Sequence, residues 1–266
     1  MNGFAEVWSW RRVLAGAGVW VLAACTTVVP SSPPEVALSS PVPRVGVDRD
    51  AQLERPEDRP GLATGFGERV RDPLQKGSFV RSARQPAGTG KVFYNDAEGI
   101  KAMAGYRWKT ASVMQVAGGM VEWGIKGWGG YWPCYRQGQE TFVEGKPGRS
   151  YSITVKNRCR SRVEVVLSVD GLDVIDGKPA AFSKRGYVIS PGETLEVKGW
   201  RTSWNTVARF EFSSVGDSYA NQRHGDARNV GVFGIAVFGE KGVDPWKWMP
   251  QVVKGRKDAR AFASEL

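Results

Sequence analysis

Residues 151–169 read Tyr-Ser-Ile-Thr-Val-Lys-Asn-Arg-Cys-Arg-Ser-Arg-Val-Glu-Val-Val-Leu-Ser-Val, and the fold is decided there. Tyr151, Ile153 and Val155 alternate with Ser152, Thr154 and Lys156. Beyond the polar stretch 157–161, Val163, Val165, Leu167 and Val169 alternate with Arg162, Glu164, Val166 and Ser168. Successive side chains of a strand point to opposite faces, so this period of two predicts two strands, each with one buried face. The short polar loop between them predicts a β-hairpin.

Similar signals recur on both sides. Residues 113–117 and 120–125 read as strands joined by Gly118-Gly119, a two-residue hairpin turn. Residues 141–143 form a short strand before the central pair. Residues 186–189 and 194–197 flank Ser190-Pro191-Gly192-Glu193, where proline then glycine favours a type II turn. Ala208, Phe210 and Phe212 share one face of 207–212.

Residues 229–239 are apolar on both faces: Val230, Val232, Ala236 and Phe238 on one, Phe233, Ile235 and Val237 on the other. That marks a central strand covered on both sides. Gly231 and Gly234 leave room there for bulky neighbours such as tryptophan. A helical turn or two is expected after Asn95, the expected N-cap. No dozen-residue amphipathic crossover recurs and no internal repeat is present, which disfavours a parallel α/β sheet. The predicted class is all-β: an antiparallel β-sandwich or jelly roll, with a barrel as the alternative.

The N-terminus carries different information. Arg11-Arg12 precedes an uncharged apolar run over residues 13–24, too short to cross a bilayer but fitting a secretory h-region. It ends in Leu22-Ala23-Ala24-Cys25. This resembles the lipobox of bacterial lipoprotein precursors, over about the first tenth of the chain. The resemblance implies cleavage before Cys25, lipidation of that cysteine and anchoring by several acyl chains. Thr26 follows instead of an aspartate, so the expected location is the cell envelope, at the outer membrane, facing the periplasm or the surface. Glu6, in a long n-region, departs from the usual pattern.

The expected organisation is a signal peptide over 1–24, a lipidated cysteine and flexible linker over 25–88, a β-sandwich domain over 89–249 and a basic tail over 250–266. The linker assignment rests on nine prolines, mixed charge and few aromatics. For the tail, a short frayed helix or a disordered end is expected. The net charge is +10, of which +8 falls on residues 89–266. A basic fold favours anionic partners, and export disfavours nucleic acid among them. The expected partners are the membrane, through the lipid, and an envelope protein or anionic polymer.

Cys134 and Cys159 form an even pair in an oxidising compartment, which leaves a disulfide or two separate thiols open. Three stretches could carry function. The first is the aromatic loop, with Trp123, Trp128, Tyr131, Trp132 and Tyr135 spaced by glycines: flat rings suit sugars or protein partners, or else cap the core. The second, Asp170, Asp173 and Asp176, offers oxygen ligands to a hard cation, though the spacing is not that of an EF-hand. Its plainer reading is a pair of Asp-Gly turns, with Asp170 pairing an arginine such as Arg185. The third, 216–229, contains Arg223, His224, Asp226 and Arg228. His224 is the only histidine, and no catalytic signature accompanies it.

Three functions are therefore entertained: a non-enzymatic interaction domain, a carbohydrate- or peptidoglycan-binding module, and an envelope hydrolase or transpeptidase using His224. No cofactor is expected. Residues 162–174, Arg185-Gly-Tyr and Asn229-Val-Gly-Val also resemble an exported bacterial domain of unknown function, which implies nothing further.

Overall fold

The structure, a computed structural model, describes residues 59–72, 77–105 and 108–261. The signal stretch, Cys25 and the first part of the linker lie outside the described residues. In chain order the strands are β1 (Leu62–Arg71), β2 (Gly88–Asn95), β3 (Trp108–Thr110), β4 (Val113–Val116), β5 (Val121–Gly127), β6 (Gly130–Tyr131), β7 (Cys134–Gln137) and β8 (Glu140–Glu144). They continue as β9 (Ser150–Asn157), β10 (Val163–Val169), β11 (Leu172–Asp173), β12 (Tyr187–Ile189), β13 (Thr194–Val197), β14 (Gly199–Arg201), β15 (Thr206–Ser214) and β16 (Val232–Gly239). The α-helices are α1 (Ala97–Ala104), α2 (Tyr219–His224) and α3 (Pro250–Lys257).

Two sheets pack face to face. The first runs β1-β15-β9-β5-β4, with β13 beside β9, β14 beside β15 and β6 beside β5. The second runs β11-β10-β16-β2-β8-β7-β3, with β12 beside β10. All the pairings are antiparallel except β2 with β8, which run parallel. The expected antiparallel sandwich is thus what forms.

The central pair is not a hairpin. β9 pairs with β5, β13 and β15 in the first sheet, whereas β10 pairs with β16, β11 and β12 in the second. Residues 158–162 therefore arch across the sandwich instead of turning within one sheet. A second arch is stacked on the first: the Ser190–Glu193 turn leads from β12, which pairs with β10, to β13, which pairs with β9. Gly192 has φ 73° and Glu193 N–H reaches Ser190 O at 3.1 Å, as the Pro-Gly signal predicts.

One side chain holds both arches. Asn157 is fully buried, and its Nδ2 donates to Ser161 O at 2.8 Å, Ile189 O at 3.0 Å and Ser190 O at 3.1 Å. Its Oδ1 accepts from Cys159 N–H at 2.8 Å. These peptide groups lie where the chain leaves the sheets and cannot use a ladder, so a side-chain amide meets their hydrogen-bonding needs.

The interior is aromatic. Tyr94 stacks on Phe233 with centroids 4.3 Å apart, Tyr151 stacks on Phe212 at 4.5 Å, and Trp200 meets Phe210 edge-on. Trp123 is buried against Gly90, where a Cβ would stand 3.2 Å from its ring and 2.9 Å from Ile235. Gly90, and not Gly231 or Gly234, makes room for a tryptophan. Gly231 is instead set by its φ of 85°, and Gly234 faces Ser168.

β16 sits between β10 and β2 and is covered on both sides, as its sequence predicts. Phe233, Ile235 and Val237 face the main core, while Ala236 and Phe238 pack against Phe79 and Val166. The second cover comes from residues 77–88, assigned to the linker by sequence. Arg81 there lies 3.6 Å over the Phe238 ring and pairs with buried Glu164 at 2.6 Å.

β1 also falls inside the expected linker, pairing with β15 from Leu62↔Ser214 to Arg71↔Thr206. The linker boundary at residue 88 is therefore corrected. β1 carries little apolar area of its own, and its order comes from the pairing and from buried Leu62, Ala63 and Thr64.

Three smaller differences follow. Between β4 and β5, Ala117–Gly119 form a 3-10 turn in place of a two-residue one. Asp96, not Asn95, caps α1, accepting from Gly99 N–H, while Asn95 Oδ1 accepts from Leu62 and Asp96 N–H. The C-terminal segment forms α3, anchored by buried Met249.

Candidate functional site

The β5–β6 hairpin carries the most exposed aromatic surface of the aromatic loop. Lys126 pairs with Tyr131 and Gly127 with Gly130, leaving Trp128-Gly129 as the turn. Trp128 is fully exposed and Tyr131 about half exposed. The Tyr131 ring lies over Gly124 of β5, where a Cβ would stand 3.0 Å from its carbons. Only glycine lets the ring rest against the outer face of the first sheet.

Strand register sets the polar groups around that ring. Glu196, Thr154 and Gly124 form one row across β13, β9 and β5, and Ser152 and Lys126 are paired two residues further along. Thr154 Oγ1 lies 3.2 Å from Tyr131 Oη. Ser152 Oγ donates to Glu196 Oε1 at 2.7 Å, and Lys126 Nζ pairs with Glu196 Oε2 at 3.3 Å. Partial desolvation opposes ionisation of Glu196, but Ser152 and Lys126 outweigh it and hold its carboxyl below the usual range. The patch thus presents a half-exposed ring, an ionised acceptor and an ammonium donor, with the Ser152 and Thr154 hydroxyls buried beneath them. That combination suits a ring with hydroxyl substituents, whose C–H face packs on the aromatic while its oxygens meet the polar rows.

The other aromatic-loop residues do not join this surface. Trp123 is core. Trp132 is half buried and meets Phe212 edge-on at 5.4 Å. The sequence does not mark Lys126, Ser152, Thr154 and Glu196 as a group. Their outward alternation is readable there, but their approach to Tyr131 depends on which strands pair.

The polar loop folds into α2, capped by Ser218, whose side chain accepts from Asn221 N–H. His224 Nε2 lies 2.7 Å from Gly177 O, and Asp226 pairs with Arg228 at 2.8 Å. The Arg228 hydrogen bonds hold the exposed Asp226 carboxyl well below its ordinary range. Arg223 is exposed on α2. His224 is committed to a backbone carbonyl, and the thiols meet other groups: Cys134 meets Ser112 O and Trp132 O, and Cys159 meets Met120 O.

Both thiols are free and buried in the structure. Burial pushes each up to about 11.

The three aspartates diverge. Asp170 accepts from Thr64 N–H at 2.8 Å, Gly231 N–H at 2.9 Å and Tyr94 O–H at 2.6 Å, not from Arg185, which donates to Phe79 O. Thr64 Oγ1 lies 2.7 Å from both Tyr94 Oη and Tyr151 Oη, completing a buried network between the sheets. Asp173 Oδ1 accepts from Ile175 and Asp176 N–H, and Asp176 pairs with Lys184 at 2.6 Å. Among the described residues, no group of three or more His, Cys, Asp or Glu could hold a metal ion.

A hollow of about 810 Å³ is lined by Phe79, Tyr187, Leu195, Arg201 and Trp204, among others. None of the candidate residues lines it. Three of its charged residues are paired, Arg201 with Asp72 and Glu164 with Arg81. The hairpin surface is favoured because Trp128, fully exposed, presents more open ring surface than Trp204 in this hollow. No protein family, curated protein or solved structure matches this chain.

Proposed function

We propose that this is a non-enzymatic, lipid-anchored envelope protein whose β-sandwich binds a saccharide of the cell envelope through Trp128 and Tyr131. The observation that carries the reading is a fully exposed Trp128 in the same hairpin as a Tyr131 ring packed over Gly124, beside the Lys126–Glu196–Ser152 cluster. Aromatic faces bind sugar rings at low conformational cost, and fixed polar neighbours orient them.

The envelope location is supported by Arg11-Arg12, the apolar run 13–24 and Leu22-Ala23-Ala24-Cys25. On this reading Cys25 carries the acyl chains that hold the domain at the outer membrane. The non-enzymatic reading is supported by the commitment of His224 to Gly177 O. A purely protein-binding role for the same hairpin is the second reading, favoured by the exposure of Trp128 at a tip.

Titrating the protein with solubilised cell-wall glycan fragments while following tryptophan fluorescence tests the proposal. Saturable quenching or enhancement that vanishes in Trp128→Ala is expected. A flat titration with the wild type leaves the protein-partner reading in its place.

A further inference from the structure

The other end of the sandwich carries a second unabsorbed surface. β5 and β9 run together from Lys126↔Ser152 to Val121↔Asn157, so the arches and the Trp128 hairpin sit at opposite ends, roughly 20 Å apart along the strands. At the arch end, the segment after β16 folds back over the sheets. A Cβ at Gly118 would stand 2.6 Å from the Trp246 ring, and Met249 shares a hollow with Lys156, Arg158 and Gly192.

This end is cationic and studded with apolar side chains. Residues 241–260 contain Lys241, Lys247, Lys254, Arg256, Lys257 and Arg260 against Asp244 and Asp258, a net charge of +4. Arg160, in the arch beside them, is exposed. Of the nearby carboxylates, Glu240 is taken by Arg162, Glu122 lies 3.7 Å from Arg158, and Asp244 accepts from Trp246 N–H. Trp248 is half exposed and holds φ 61°, a left-handed conformation that a tryptophan adopts only where its surroundings impose it. Val243 and Val252 are exposed nearby in sequence.

We infer that this end of the domain lies against an anionic phospholipid bilayer. Tryptophan settles at the headgroup level of a membrane, and clustered Lys and Arg are drawn to anionic lipid. The charge complementarity commits the surface to lipid: Trp248, Val243 and Val252 enter the interface while Lys247, Lys254, Arg256 and Lys257 meet phosphates. Docked this way, the domain turns the Trp128 hairpin away from the bilayer. The 33 residues between Cys25 and Arg59 could span at most ~120 Å fully extended, so an anchor at Cys25 permits this orientation.

The test uses the processed chain, residues 25–266, carrying Cys25→Ser, which lacks both the acyl anchor and the apolar leader. Its co-sedimentation with phosphatidylcholine vesicles is compared with vesicles containing about one-third phosphatidylglycerol. Expected is a salt-sensitive increment of binding to the anionic vesicles. The combined change Lys254→Glu, Arg256→Glu and Lys257→Glu should lower that increment at least ~10-fold. Trp248→Gly, which removes the ring and suits the positive φ, should lower it by about threefold or more with the far-UV spectrum unchanged. Equal binding to both vesicle types, or an increment untouched by both variants, overturns the inference.

Discussion

Tyr94 donates to Asp170 Oδ1 at 2.6 Å, and this short bond joins β2 to the turn after β10 in the middle of a buried network. Thr64 of β1 and Tyr151 of β9 complete it, so one hydroxyl–carboxylate cluster ties both sheets together. Tyr94→Phe keeps the stacking on Phe233 but leaves Asp170 Oδ1 and Thr64 Oγ1 each short of a partner. The expected loss is about 2–3 kcal/mol in urea unfolding, because hydrogen bonds to charged buried groups are the expensive ones to break. Tyr151→Phe, which does not touch Asp170, should cost less, about 1 kcal/mol.

The same carboxyl gives the fold a pH dependence. Burial pushes Asp170 up to about 6, against the pull of Tyr94, Thr64 and Gly231, which all donate to it. Its ordinary value is 3.8, so the folded protein binds the proton more tightly than the unfolded chain. Stability from this group is fully present below about 4 and is lost as pH rises through about 6. The difference in melting temperature between wild type and Asp170→Asn should therefore shrink from pH 4 to pH 6 and stay constant above it. A difference that grows over that interval would mean the carboxylate donors outweigh burial.

Asn157 is the side chain on which the two arches depend. Asn157→Ala strips partners from three carbonyls and the Cys159 N–H at once, all at the arch end of the core. A loss of about 3 kcal/mol or more is expected, since each buried group left unpaired costs roughly 1–3 kcal/mol. Asn157→Asp should fare no better: the carboxylate places an acceptor against three carbonyl oxygens. Equilibrium denaturation of the two variants checks this, and a cost under about 1 kcal/mol for either would refute the role.

Thiol chemistry tests the separation of Cys134 and Cys159. Both are buried, free and pushed up to about 11, where little thiolate exists at neutral pH. In the Cys25→Ser chain, purified without reductant, an aromatic disulfide reagent should find almost no reactive thiol in the native state and two after denaturation. Finding none after denaturation would establish the bond that the structure lacks.

Much of the sandwich is legible in the residues, and the limits are physical. Alternation along 151–169 marks two strands with buried faces, but alternation says nothing about partners. The pairing of β9 with β5 and of β10 with β16 is set by contacts distant in sequence, and only the polar residue Asn157, met without its four partners, marks the arch. β16 announces its two-sided cover through Ala236 and Phe238, yet the cover comes from Phe79 and Arg81, in a stretch whose composition reads as linker. β1 is invisible for the same reason: Gly65 and Gly67 dilute it, and pairing with β15 supplies what propensity does not. In the candidate site, the glycines around Trp128 expose it legibly. The place of Glu196 beside Lys126 requires the β13–β9–β5 register, which no local pattern encodes.

The most direct test of the proposed saccharide binding is calorimetric titration with defined cell-wall glycan fragments, comparing wild type with Trp128→Ala and Tyr131→Ala. Trp128 is fully exposed, so Trp128→Ala should leave stability within about 0.5 kcal/mol of wild type. The account predicts saturable binding by the wild type, weakened about tenfold or more in each variant, as loss of an aromatic anchor of roughly 1.5 kcal/mol implies. Wild-type binding that both variants retain unchanged, or no binding by the wild type at all, would contradict it.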